Sequence, residues 1–171
     1  MPLVLEIDES NQASETIEHG ISEILAGSVD AFDLNPVSSP ISPGDNSFEK
    51  WLRWHFTDLG GASAVGGLKF WCEAPPAETS LHFNGHTVQG SYEGANHRQT
   101  SYSEPDTANT RTPEDVPTSA PVSANIGIGG LLTGQLAAPG FSDYLLVQVR
   151  TTVDATVGDT LVASFGYEII A

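Results

Sequence analysis

The sequence predicts an all-β domain, a β-sandwich of jelly-roll-like or immunoglobulin-like kind with an N-terminal arm and long loops. Three observations carry that prediction. Apolar and polar residues alternate over several short runs, turn residues separate the runs at sandwich-like intervals, and no long helical pattern competes with them. A doubly wound sheet would need helical crossovers, which the pattern lacks. The 171 residues suffice for one domain with a substantial core, and 39% hydrophobic content is compatible with folding rather than disorder.

Residues 1–45 read as an N-terminal strand, an acidic segment and a Pro-rich loop, packed on the domain or on a neighbour. Leu3, Leu5 and Ile7 alternate as a short strand requires. Ile17, Ile21, Ile24 and Leu25 then have helical spacing, but Gly20 and Gly27 interrupt them, so a short helix and an irregular turn are both open there. Pro36, Pro40 and Pro43 exclude a regular element from Asn35 to Asn46.

Residues 46–171 read as the sandwich itself. A strand begins near Phe48, with Leu52, Trp54 and Phe56 on one side and Arg53 and His55 alternating with them; Trp51 falls opposite, over the outer face or against a partner. Gly60, Gly61, Gly66 and Gly67 frame a flexible link to a second strand, in which Leu68, Phe70 and Cys72 point one way. Leu81–Phe83, Thr87–Gln89 and Arg98–Tyr102 are short strand candidates, with Asn84-Gly85 as a turn signal. Pro105, Pro113, Pro117 and Pro121 mark a long surface loop near 104–122, either mobile or draped over an adjacent subunit. After a candidate strand at Leu131–Leu136, Leu145, Val147, Val149, Thr151 and Val153 share a face, as do Leu161, Ala163, Phe165, Tyr167 and Ile169. Gly158-Asp159 between these last two runs predicts a hairpin.

Composition narrows the function. Asp and Glu total 22 against 6 Lys and Arg, a formal net charge of −16, so the cationic patch that nucleic-acid phosphates require is missing. The longest apolar runs are too short to span a bilayer as a helix, and the opening residues lack the basic start of a signal peptide. One cysteine, Cys72, excludes an internal disulfide and a cysteine-based zinc cluster. Acid excess with only Lys50 and Lys69 as lysines suits work in high salt, a plainly acidic protein being the alternative.

Motifs for chemistry are weak. His82 and His86, four apart, would need His97 or Glu93 to complete a metal site, and unrelated loop histidines are the simpler reading. No Gly-x-Ser-x-Gly elbow occurs, and Cys72 alternates with core residues rather than standing as a nucleophile. Asn125–Gly130 lacks the Lys-Ser/Thr of a phosphate loop, so its glycines serve tight turns. Neither a catalytic residue, a metal site nor a cofactor is expected. Trp51, Arg53, Trp71 and Arg150 are the candidate interface residues, being large contact groups beside strand cores; glycan stacking on Trp51 or Trp71 is the competing use of those rings.

Two stretches, Asn46-Ser-Phe-Glu-Lys-Trp-Leu-Arg-Trp-His-Phe56 with Leu68-Lys-Phe-Trp71, and Ile126–Leu136 running into Ala138–Val149, resemble small structural proteins of tailed viruses, of the decoration or head–tail region. That resemblance covers half to two thirds of the chain and implies a non-enzymatic virion protein that decorates or stabilises an icosahedral capsid. Its implied partners are the major capsid protein and copies of itself, as a trimer at local three-fold positions. The implied location is the virion, after synthesis in the host cytoplasm. A neck, tail or baseplate component and a carbohydrate-binding module are the alternatives. The acidic first 45 residues and the loop near 104–122 depart from the resemblance.

Overall fold

A computed structural model describes residues 1–12, 14–35, 37–73, 79–88, 114–156 and 162–170. The described chain is all-β, with antiparallel pairing throughout and no helix among the described residues. The strands are β1 (Val4–Asn11), β2 (Thr16–Glu18), β3 (Lys50–Asp58), β4 (Ala64–Glu73), β5 (Thr79–Val88), β6 (Glu114–Asp115), β7 (Gln135–Leu136), β8 (Gly140–Phe141), β9 (Tyr144–Thr151) and β10 (Val162–Ile170). One sheet runs β2-β1-β3-β9-β5-β6 with β8 also on β3; the other runs β10-β4-β7.

Alternation sets the inner faces. Leu52, Trp54 and Phe56 of β3, Leu145 and Val147 of β9 and Leu68, Phe70 and Cys72 of β4 are buried together with Ile126 and Ile128. Trp54 meets Phe70 edge-on at 6.1 Å, and Phe56 meets Tyr167 of β10 at 5.8 Å, so rings from both sheets interlock in one core. Two antiparallel sheets sharing a core are consistent with a β-sandwich. Leu3, Leu5, Ile7, Ile21 and Ile24 pack against its rim.

The segment from 10 to 35 takes the irregular form: after β2 it holds turns and bends, and Ile21 and Ile24 reach the core without a helix. Gly66 and Gly67 lie within β4, so the flexible link is shorter than expected. It turns at Gly60, where φ is +63° and an added Cβ would stand 2.5 Å from the Met1 carbonyl oxygen. β5 runs straight through Asn84-Gly85, with only a register shift between Asn84 and Val88 against β9. A strand with a bulge accommodates the same turn-prone residues.

The predicted β9–β10 hairpin does not form. β9 pairs with β3 and β5, whereas β10 pairs with β4 in the other sheet. Each run has the period of a strand, and a turn signal between two strands serves an arch between sheets as well as a hairpin within one. Of the long loop, residues 114–122 carry β6 and a buried Val116, while 104–113 lie outside the described residues, as do Arg98–Tyr102. The strip that follows lines one edge of β4: Cys72 donates its N–H to the Pro117 carbonyl, and the Asn125 amide brackets Phe70 with two hydrogen bonds of 2.8 Å.

Candidate functional site

Antiparallel pairing of β1 with β3 puts Glu6 opposite His55 and Asp8 opposite Arg53. These four alternate with the core residues Leu5, Ile7, Trp54 and Phe56, so they share the outer face of the larger sheet. The turn after β2 brings His19 onto the same spot. Asp8 is 0% exposed, yet neither of its carboxylate oxygens accepts a hydrogen bond. Its Oδ2 stands 3.0 Å from His19 Nδ1, 3.3 Å from His55 Nδ1 and 3.9 Å from Arg53 Nε. Glu6 Oε2 lies 4.0 Å from His55 Nδ1. His55 stacks on Phe141 of β8 at 4.2 Å, and the Arg53 guanidinium lies 3.9 Å from the same ring's centroid, a cation–π contact.

Two further polar clusters flank this one. On the inner face, Lys50 Nζ donates to Glu9 Oε1 (2.8 Å), Asn11 Oδ1 (3.2 Å) and the Ala31 carbonyl (2.6 Å). On the outer face, Ser10 Oγ and Tyr144 OH both donate to Glu15 Oε1 at 2.9 Å. Burial pushes the Tyr144 phenol above its ordinary pKa, partly opposed by the Ser10 hydrogen bond. A depression of about 230 Å³ opens beside His19 and is lined by Glu9, Glu18, Glu23 and Asp33 among others.

Of the four candidate interface residues, Trp51 lies on the outer face of the larger sheet but is 0% exposed, packed with Tyr144 and Leu146. It therefore offers no ring face to a partner. Arg53 is half-buried against Phe141 beside Asp8. Arg150 is exposed near the far end of β9. Trp71 belongs to the other sheet, half-buried, with its ring over Gly166 and its indole N–H donated to Glu73 at 3.1 Å. The four do not form one surface.

No family model matches the chain, and neither do curated proteins or solved structures. The site therefore rests on its own geometry.

His82 and His86 both fall on β5, while Glu93 and His97 lie outside the described residues. Cys72 is buried in the core, where its alternation put it. The glycine run ending at Gly130 is taken up internally: the Gly130 N–H donates to Asp143 Oδ2 at 2.7 Å, with Gly129 and Gly130 both at positive φ. Burial nonetheless holds the Asp143 carboxyl above the ordinary aspartate range, the Gly130 and Gly129 N–H groups opposing it.

Asp143 gives a signed pH prediction. A carboxyl whose pKa is raised by folding favours the fold while protonated, and that contribution is lost as pH rises through the raised value. Asp143→Asn keeps an acceptor for Gly130 and cannot ionise. Relative to wild type, the variant is expected to gain stability as pH climbs from about 4, read from denaturant melts across an acid series; parallel pH profiles would rule this out.

Proposed function

We propose that this chain is a non-enzymatic structural protein of a virion, one that decorates or stabilises an icosahedral capsid through self-association and contacts with the major capsid protein. The sequence resemblance from Asn46 onward supports the reading. So does an all-β scaffold of two antiparallel sheets, for which we propose a jelly-roll-like or immunoglobulin-like sandwich.

The observation that carries it is the edge of β10. This nine-residue strand pairs with β4 on one side, and among the described residues no strand pairs with the other. Tyr167 and Ile169 are exposed beside that edge, Ile169 at 58%. A long strand edge with apolar neighbours is a template for another chain, and the register shift between Gly166 and Glu168 together with the exposed Glu168 carboxylate confines that template to part of β10. In a closed trimer the contacts are heterologous, so β10 of one copy meets a different surface of the next.

The decisive experiment is the copy number of the chain relative to the major shell protein in purified particles, by quantitative mass spectrometry. A ratio near one-to-one or one-to-three places it across the shell. A handful of copies moves it to the neck or tail, and absence from particles overturns the virion reading. At the residue level, Ile169→Lys is expected to abolish self-association in sedimentation while leaving the melting temperature unchanged, because the side chain is already exposed. An unaltered oligomer would remove β10 from the interface.

A further inference from the structure

We infer that Asp8, His19 and His55 form a binding site for one d-block divalent cation of the Zn²⁺ class, which staples the N-terminal segment to β3. The inference stands apart from the virion reading.

Asp8 poses the physical problem. A carboxylate removed from water and given no hydrogen bond is costly, and such groups in proteins are paired or bound to metal. The neighbours do not satisfy it in the usual way. His19 Nδ1 is 3.0 Å away and His55 Nδ1 3.3 Å, yet neither makes an aligned hydrogen bond, and Arg53 Nε at 3.9 Å is out of reach. What the side chains do share is convergence: one carboxylate oxygen of Asp8 and one ring nitrogen of each histidine all lie within 4.8 Å of one another. A tetrahedral Zn²⁺ with ligands at 2.0–2.1 Å separates them by about 3.3 Å. Two of the distances are already near that value. His19, with its side chain 57% exposed, is free to turn and close the third.

The donor set selects the metal. Two imidazole nitrogens and one carboxylate suit Zn²⁺, Ni²⁺, Cu²⁺ or Fe²⁺, whereas Ca²⁺ and Mg²⁺ prefer oxygen alone. Charge agrees. Asp8 and Glu6 outweigh Arg53 by one negative charge when the histidines are neutral, and the acid-lined depression beside His19 concentrates cations at the entrance. The Arg53 guanidinium is engaged by the Phe141 ring, 3.9 Å from its centroid. Remaining coordination positions fall to water or to Glu6. Because the ligands come from β1, the turn after β2 and β3, a bound ion cross-links residues 8, 19 and 55.

The test uses the whole chain, stripped of metal with a chelator and then titrated with Zn²⁺ by equilibrium dialysis and with Co²⁺ by visible absorption. One equivalent is expected to bind, and Zn²⁺ is expected to raise the melting temperature. His19→Gln, at an exposed position that does not threaten folding, is expected to weaken binding at least about 10-fold and to abolish the thermal shift; Asp8→Asn does the same where it folds. A His82→Gln/His86→Gln/His97→Gln variant is expected to bind like wild type. Three results overturn the inference: loss of binding in that triple variant alone, multi-equivalent binding indifferent to His19, or no binding at all.

Discussion

Lys50→Met is expected to destabilise the fold by about 3–5 kcal/mol, the cost of breaking a buried ion pair from one side. Lys50 is 1% exposed, and its three ammonium protons go to Glu9, Asn11 and the Ala31 carbonyl. Removing the ammonium leaves the Glu9 carboxylate buried with only the Asn11 amide, 2.6 Å away, to compensate. The lost bonds also span three parts of the chain, because that nitrogen on β3 reaches both β1 and the loop at Ala31. Urea melts of Lys50→Met, Glu9→Gln and the double variant measure the coupling. The double variant is expected to recover part of the loss, since neutralising Glu9 removes the uncompensated charge. A single-variant cost below about 1 kcal/mol would show that water reaches this cluster and that the pair is effectively a surface one.

Trp51→Ala is the second large effect, again about 3–5 kcal/mol, here from an aromatic deletion in a packed site. Its ring meets Tyr144 edge-on at 5.3 Å and 71°, with Leu146 buried beside them, in an apolar cluster separate from the main core. For a chain of this size the loss lowers the melting temperature by roughly 6–20 °C. Calorimetry of the isolated chain checks it. Any defect of this variant in assembly is then a folding defect, and a wild-type melt would return Trp51 to the list of contact residues.

The contrast between these two positions shows what was legible. Leu52, Trp54 and Phe56, and Leu68, Phe70 and Cys72, announce their strands because a half-buried strand imposes a period of two on its side chains. The same period put Trp51 on the outer face, but whether an outer face is covered depends on parts of the chain that carry no local sign of it. Lys50 is in phase with the core face of β3, and a lysine in that phase was the available signal for a buried cation. The Asp8–His19–His55 cluster was not legible. Its members are scattered over three segments, and the β1–β3 pairing that unites two of them is a choice among many antiparallel registers. Close spacing in the sequence points instead to His82 and His86. Likewise the runs on either side of Gly158-Asp159 are both strands, but nothing local decides whether the second returns to the same sheet or crosses to the other.

That crossing has a kinetic consequence. β4 ends at Glu73, yet its nine-residue partner β10 begins only at Val162, so the smaller sheet waits for almost the whole chain to emerge from the ribosome. β1 meanwhile must wait for β3, and β5 for β9. Pairings of such long separation close slowly, on the millisecond-to-second scale of all-β domains. Until then β4, with Leu68 and Phe70, has only the two-residue β7 as a sheet partner in the nascent chain. Synthesis rate and chaperone access during translation of the last hundred residues, rather than the stability of the finished fold, should therefore govern how much of this protein reaches its native state.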